Sequence, residues 1–331
     1  MERFALAAAV VLGFALTAAL CSLFVPLRRV LERREQQQQP VQSEQPRPAP
    51  LRAPLWGGLC AAAGTVAAVG VGWLAACVGQ PELLGSEGRL MTRLLTALAG
   101  SLAFGAVGLA EDLARMRSPA ALGLRRDVRL LLEALAAAFV LLLLRAAGCL
   151  PRGLGVPGAG YVLLGSAVPF LWAVLMVALA ECARIAERDE GAVCGAAFVA
   201  MLALMMVEAG LGVSGLAVLP AALAGALVAL LLWAFPPARL GAGCCGSLLA
   251  AGAIGCIPLS LDMTSLTVPL ALPFWAAGGL LAAQLLCAKR TGKPLRCWVK
   301  KHKMSPEMVF LCSFALSAVG YVLVLALLRW C

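Results

Sequence analysis

The sequence predicts an all-α protein that crosses a membrane about ten times. Hydrophobic residues occupy 62% of its 331 positions and charged residues only 13%, and the mean hydropathy is +0.93. Soluble domains average about half apolar and about a quarter charged residues. Several stretches run for about 20 residues without a charge, which is the length of a membrane span. The composition therefore excludes a soluble enzyme, a disordered chain and a small disulfide scaffold.

Ten segments are apolar and long enough to be helical spans, since a helix needs about 20 residues to cross the hydrocarbon core. The predicted spans are Phe4–Phe24, Trp56–Val78, Met91–Ala110, Val128–Ala147, Tyr161–Leu179, Gly191–Val207, Leu211–Trp233, Leu240–Leu261, Val268–Cys287 and Met308–Leu328. The first is interpreted as a retained helix and not as a signal peptide, because its arginines follow the apolar run.

Positive charge is concentrated in alternate loops. Segments 25–55, 111–129, 180–190, 234–239 and 288–307 hold 21 of the 27 Lys and Arg residues. Basic loops remain in the cytoplasm, so this asymmetry predicts five cytoplasmic loops and both termini outside. We expect a multi-pass protein of a bacterial cytoplasmic (inner) membrane, since abundant Ala, Leu and Arg suggest a high-GC genome.

The whole chain, residues 1–331, is predicted to be a single integral membrane domain. Its loop 25–55 is rich in Gln and Pro, a composition typical of flexible segments. The loop 288–307 is strongly basic, and each such charge near a membrane surface favours anionic lipid by about 1 kcal/mol. No nucleic-acid partner is needed to explain this charge.

The cysteines predict no metal site. Thirteen of them are scattered through apolar stretches, with one adjacent pair, Cys244 and Cys245, and His302 is the only histidine. No CxxC or Cys/His ligand spacing occurs, so these residues are interpreted as small, reduced apolar side chains.

Four polar clusters lie on the predicted cytoplasmic side, where polar groups at membrane depth are candidate sites. Adjacent carboxylates beside basic residues suit a Mg²⁺-bridged phosphate, because Mg²⁺ takes oxygen ligands while Arg and Lys neutralise the remaining charge. Each cluster taken alone also fits a helix end, an exposed i,i+3 ion pair or close helix packing. The clusters span residues 108–129, 181–191, 243–248 and 293–303.

Taken in order, the clusters resemble the motifs of the polyprenyl-phosphate N-acetylhexosamine-1-phosphate transferases, glycosyltransferase family 4, and above all its phospho-N-acetylmuramoyl-pentapeptide transferase (MraY) branch. Residues 52–59 resemble the family's Gly-Thr-Pro-Thr-Met-Gly-Gly-Leu segment. Residues 108–115 resemble Gly-x-x-Asp-Asp-x-x-Lys, with Glu111 for the first aspartate, Asp112 as the second and Arg115 for the lysine. The resemblance covers most of the chain and implies ten helices with both termini outside.

Several reactive positions depart from the family pattern. Arg184 stands where the family has an asparagine, and Glu187 and Glu190 stand where it has aspartates. Cys244 replaces the aspartate of Gly-Asp-x-Gly-Ser-Leu, which is a Mg²⁺ ligand in the family. Arg296 stands at the first histidine of Pro-Leu-His-His-His, and the other two histidines are also replaced.

The resemblance implies a site on the cytoplasmic side that binds a polyprenyl (undecaprenyl) phosphate and a UDP-sugar, with Mg²⁺ if the protein is active. Soft sulfur suits the hard Mg²⁺ poorly, so loss of the ligand at Cys244 is expected to weaken catalysis by roughly 10³-fold or more. By position, the implied catalytic residues are Glu111, Asp112, Glu187 and Glu190, the metal ligands Asp112 and Cys244, and the substrate or phosphate ligands Arg115, Arg129, Arg184, Gly246, Ser247 and Arg296.

Three interpretations remain open at this point. The first is a divergent, inactive relative that still binds the lipid phosphate or a partner in the membrane, in which Arg184 pairs with a neighbouring glutamate and fills the metal site. The second is a working transferase with an altered metal site. The third is a membrane scaffold or transporter of another class, in which the motifs are coincidental. Family members often dimerise, so a homodimer is a further expectation.

Overall fold

The computed structural model of the protein describes residues 2–38, 56–79, 88–117, 123–151, 153–156, 160–163, 165, 167–187, 191–213, 215–235, 239–291 and 306–330. Most of the two loops predicted at 25–55 and 288–307 lies outside these ranges. The described residues form α1 (Glu2–Gln38), α2 (Gly57–Gly79), α3 (Gly88–Arg117), α4 (Arg126–Ala146), β1 (Gly153–Val156), β2 (Gly160–Leu163), α5 (Ala167–Ala186), α6 (Ala192–Gly210), α7 (Val218–Ala234), α8 (Gly243–Ser260), a 3₁₀ turn (Thr264–Leu266), α9 (Thr267–Leu270), α10 (Leu272–Thr291) and α11 (Pro306–Trp330).

The architecture is that of an all-α polytopic membrane protein. Seven of the described helices are long and apolar enough to span a membrane, and the bent pair α9 and α10 makes an eighth if it is one span. Helix α4 carries charges along its length and α7 has only 17 residues, but both lie at predicted spans. The count of ten spans and the outside location of both termini remain predictions.

Three predicted spans differ from the structure where glycine or proline interrupts the apolar pattern. The segment before α5 forms an antiparallel hairpin, in which Gly153 pairs with Leu163, so α5 begins at Ala167 and not at Tyr161. Helix α7 begins at Val218 because Gly212, with φ +73°, lies in a turn after α6. The ninth predicted span is bent by 65° at Ala271, between two prolines.

Helix α8 is the centre of the fold. All eighteen of its residues are buried, which requires other helices on every side. It packs against α2, α3, α5 and α6. Its sequence, rich in Gly, Ala and Cys, permits this because small side chains let helix backbones approach closely inside a membrane.

The seam between α3 and α8 positions the polar residues. A Cβ on Gly108 would overlap the carbonyl oxygen of Cys244, and a Cβ on Gly252 would lie 3.0 Å from the Cα of Ser101. The end of α3 therefore faces the start of α8, so the two helices run antiparallel. Asp112 follows Gly108 by about one helical turn and comes to lie at the first turn of α8.

Candidate functional site

Asp112 caps the beginning of α8. One oxygen of its buried carboxylate accepts a hydrogen bond of 3.0 Å from the amide of Cys244, and the other accepts one of 2.9 Å from the amide of Cys245. The first amides of a helix have no partner within the helix, and a negative charge at that end is favoured by the helix dipole. Both oxygens of Asp112 are thus engaged by the main chain.

The guanidinium of Arg115 lies at the centre of a group of carboxylates. Its nitrogens are 3.2 Å from Glu111, 3.5 Å from Glu187 and 4.0 Å from Asp112. The side chain is 21% exposed, so the arginine reaches the surface while its neighbours on α3 are buried. Gly123, with φ +71°, closes over this group, and a Cβ there would lie 2.9 Å from the Oε1 of Glu111. A permanent cation therefore holds three carboxylates together.

Cys244 and Glu187 complete this side of the site. The thiol of Cys244 donates to the Oε2 of Glu187 over 3.9 Å, a long hydrogen bond to which sulfur contributes weakly. Glu187 follows directly after α5 and keeps the helical pattern, because its amide donates to the carbonyl of Ala183. Residues from α3, α5 and α8 meet here within hydrogen-bond distance.

A second ion-pair group adjoins the first. The Nε of Arg129 donates to Glu181 over 2.7 Å, and a terminal nitrogen of Arg184 donates to the other oxygen of Glu181 over 2.6 Å. Arg129 also lies 3.7 Å from Glu111, which joins the two groups into one network across α3, α4 and α5. Arg184 thus pairs with Glu181, while the guanidinium placed among Glu111, Asp112 and Glu187 is that of Arg115.

Glu133 is a residue that sequence reasoning left out of the site. Its side chain is completely buried, and neither carboxylate oxygen has a hydrogen-bond partner among the described residues. It lies one helical turn after Arg129 on α4, close enough to interact electrostatically with Arg129, Glu181 and Arg184. The i,i+4 spacing of Arg129 and Glu133 on one helix face was the signal in the sequence.

Two residues expected to bind phosphate serve helix packing. Gly246 donates its amide to the carbonyl of Ala242, and its backbone lies against Gly58 of α2. The buried hydroxyl of Ser247 donates to the carbonyl of Cys244 over 3.1 Å. A role for Gly246 and Ser247 in phosphate binding stays a prediction. Glu190 and Arg296 lie outside the described residues.

The structure brings together most of the residues that the sequence singled out. The amide of Cys244 lies 3.0 Å from Asp112, its thiol lies 3.9 Å from Glu187, and Arg115 lies within 4.0 Å of both carboxylates. Such convergence excludes the interpretation in which the motifs are coincidental and the protein belongs to another class of scaffold or transporter.

The donor set does not fit a bound Mg²⁺ in this arrangement. Mg²⁺ requires several oxygen ligands in near-octahedral geometry. Here Asp112 is used by two amides, Glu111 and Glu187 are paired with Arg115, and Cys244 offers sulfur. In the part of the chain that the structure describes, no three His, Cys, Asp or Glu side chains are grouped so as to hold a metal ion.

Comparisons with known proteins identify the family of the chain. The model of glycosyl transferase family 4 matches residues 94–262, just over half of the chain, and this range contains the whole network. The chain is 25% identical over 309 residues to the phospho-N-acetylmuramoyl-pentapeptide-transferase of Geobacillus kaustophilus (strain HTA426), a match that covers 92% of this chain and 89% of that relative. The sequence motifs, their convergence at the start of α8 and the family match lead to one conclusion: the chain is an MraY-like member of glycosyl transferase family 4.

Proposed function

We propose that the protein is a divergent, membrane-embedded relative of the phospho-sugar transferases that binds a polyprenyl phosphate and has weak or no transfer activity. In the family, a phospho-sugar passes from a UDP-sugar to undecaprenyl phosphate, forming a lipid intermediate of peptidoglycan or another envelope polymer. The site is assigned to the cytoplasmic face of a bacterial inner membrane, as the basic loops predict.

The state of Asp112 and Arg115 carries this proposal. Transfer between two phosphate groups depends on positioning and on neutralising the charge that they carry, which metal ions do in related chemistry. Both oxygens of Asp112 accept hydrogen bonds from amides of α8, and the guanidinium of Arg115 lies between the carboxylates. The permanent charge of Arg115, which belongs to α3, stabilises these carboxylates without a metal.

The arginines favour retained binding of an anion. Arg115 is partly exposed, and a guanidinium offers a planar fork of donors that matches the oxygens of a phosphate. An approaching lipid phosphate can share this guanidinium with the carboxylates, since their contacts to it of 3.5 and 4.0 Å are long. Membrane lipid and a polyprenyl phosphate are therefore the proposed partners, with a UDP-sugar and a second copy of the chain as further candidates.

One observation favours a second candidate, an active transferase with an altered metal site. The described network contains five carboxylates, those of Glu111, Asp112, Glu133, Glu181 and Glu187, but only three guanidiniums, those of Arg115, Arg129 and Arg184. If all five carboxyls are ionised, the excess of two negative charges equals the charge of one divalent cation. A cation held there requires Arg115 to move away from the carboxylates.

The test measures release of UMP by purified full-length protein with undecaprenyl phosphate, a panel of UDP-sugars and Mg²⁺. Three proteins are compared: the unchanged chain, Cys244→Asp, which restores the family's oxygen ligand, and Asp112→Asn as the inactive control. Binding of undecaprenyl phosphate is measured separately by native mass spectrometry. We expect lipid binding by the unchanged protein and no Mg²⁺-dependent release above the control.

Release by Cys244→Asp alone would identify the lost ligand as the cause of inactivity. Mg²⁺-dependent release by the unchanged protein that disappears in Asp112→Asn would replace the proposal with the active transferase. Absence of both release and lipid binding would contradict both candidates.

A further inference from the structure

Four buried cysteines from four helices gather beside the candidate site. Cys21 of α1, Cys60 of α2 and Cys194 of α6 share one small apolar cluster, in which each is at most 1% exposed. Cys245 of α8 precedes Gly246, whose amide lies against Gly58 of α2, two residues before Cys60. All four are free thiols. Their contacts single out one pair.

Helices α1 and α2 form an antiparallel seam in which Cys21 faces Cys60. A Cβ on Gly72 would lie 3.0 Å from the Cβ of Ala9, and a Cβ on Gly64 would overlap the hydroxyl of Thr17. Cys21 lies one turn after Thr17 on α1, and Cys60 lies one turn before Gly64 on α2. This register therefore places Cys21 opposite Cys60. The seam ends where the ring of Phe24 stacks on that of Trp56, with centroids 5.8 Å apart.

Cys21 and Cys60 belong to the same buried cluster and lie opposite each other across the seam. No set of three or more metal-ligating side chains is placed to hold a metal within the described ranges, so a zinc-type cluster does not account for the gathering. Two thiols that face each other across a close helix seam have the arrangement from which a disulfide forms.

We propose that Cys21 and Cys60 form a reversible dithiol–disulfide site, oxidised by a quinone of the membrane. Two S–H bonds break and one S–S bond forms, and the two electrons and two protons reduce the quinone to the quinol. A lipid-soluble oxidant fits the location, because only 28% of the α1 span is buried and the helix that carries Cys21 therefore leaves most of its surface to lipid.

Oxidation would connect to the candidate site through α2. Gly58, half a turn before Cys60, packs directly against Gly246 and Ala242 at the start of α8, where Asp112 is bound. A disulfide would join α2 covalently to α1 and so restrict movement of the start of α2, where Gly58 packs against α8. The inference depends on the thiol pair alone and holds whether or not the protein is a transferase.

The test uses full-length protein in nanodiscs, treated with decylubiquinone without oxygen. After denaturation, free thiols are counted with a maleimide–polyethylene glycol reagent and linked peptides are mapped by mass spectrometry. We expect the count of thirteen reactive thiols to fall by two, a bond mapped to Cys21 and Cys60, and full recovery with dithiothreitol. Cys21→Ala and Cys60→Ala should each abolish the change.

The matched controls are Cys194→Ala, which removes a thiol from the same cluster, and Cys312→Ala, which removes an exposed one. Both should still lose two thiols. An unchanged thiol count in protein that remains folded and monodisperse would overturn the proposal. So would a bond mapped to another pair, or loss of two thiols in Cys21→Ala.

Discussion

The α3–α8 seam and the α1–α2 seam are both antiparallel and both use glycine to bring helices close, but they end in different chemistry. The first ends in Asp112 bound to two amides and an arginine among carboxylates. The second ends in two thiols and a pair of stacked rings. The same packing device therefore positions a charged network at one seam and an apolar, oxidisable pair at the other.

Because of this difference, the two seams should contribute unequally to the free energy of unfolding. Removing a buried carboxylate leaves the donors that it accepted from without a partner, which is costly. Removing a buried thiol leaves only a small gap. We expect the charged seam to be intolerant of substitution and the thiol seam to be tolerant.

The largest effect should come from removing the carboxylate of Asp112. Asp112→Ala leaves two buried helix amides without their acceptor, and should lower the free energy of unfolding by about 3–5 kcal/mol. Cys60→Ala at the other seam should cost about 1 kcal/mol. Thermal unfolding in detergent, followed by circular dichroism, measures both, with the exposed Asp127→Ala as the control. Equal losses at the two seams would contradict the comparison.

A smaller effect should separate the two kinds of glycine contact. Gly108→Ala places a methyl group against the main-chain carbonyl of Cys244, and should cost about 1–3 kcal/mol because the backbone has to move. Gly64→Ala places it against the hydroxyl of Thr17 and 3.1 Å from its main-chain nitrogen, so the second change Thr17→Ala, which removes the hydroxyl, should restore part of the loss. Gly70→Ala, which faces open space, serves as the control in the same unfolding measurement. A double variant no more stable than Gly64→Ala would refute this account.

The smallest effect distinguishes the two glutamates of the network. Glu181→Gln weakens bonds to Arg129 and Arg184 and should lower the free energy of unfolding by about 1–2 kcal/mol. Glu133→Gln removes a carboxylate without a described partner, and should leave stability unchanged or raise it by up to about 1 kcal/mol. Comparison of the two melting temperatures in one detergent decides the point. A clear loss in Glu133→Gln would show that its carboxylate is in use.

Much of the fold follows from the sequence because a membrane span carries a strong, local signal. Charge-free runs located the helices, and the Gly-Leu-Ala-Glu-Asp segment located the end of α3. The hairpin before α5 and the bend at Ala271 were not predicted, because average hydropathy does not reveal a turn of Gly and Pro inside an apolar stretch. These errors lie where the backbone changes direction, whereas elsewhere helices continue past the predicted apolar runs, α1 to Gln38 and α3 to Arg117.

The site was predictable in its members but not in its pairings. Spacing placed Glu111, Asp112 and Arg115 on one helix end, yet which arginine would lie among the carboxylates depends on how α3, α5 and α8 are rotated against one another. The contact of Cys21 with Cys60 likewise depends on the register of two helices, set by Gly64 and Gly72. Distances across helices are tertiary facts that a single sequence does not encode locally.

The complete burial of α8 affects how the chain can vary over generations. A helix with one lipid-facing side tolerates replacement at every third or fourth position, since lipid accepts most apolar side chains. Helix α8 has no such side, so each of its side chains has to fit against neighbouring protein atoms. A side chain of α8 can therefore be replaced only by one of similar size, whether or not that residue takes part in chemistry.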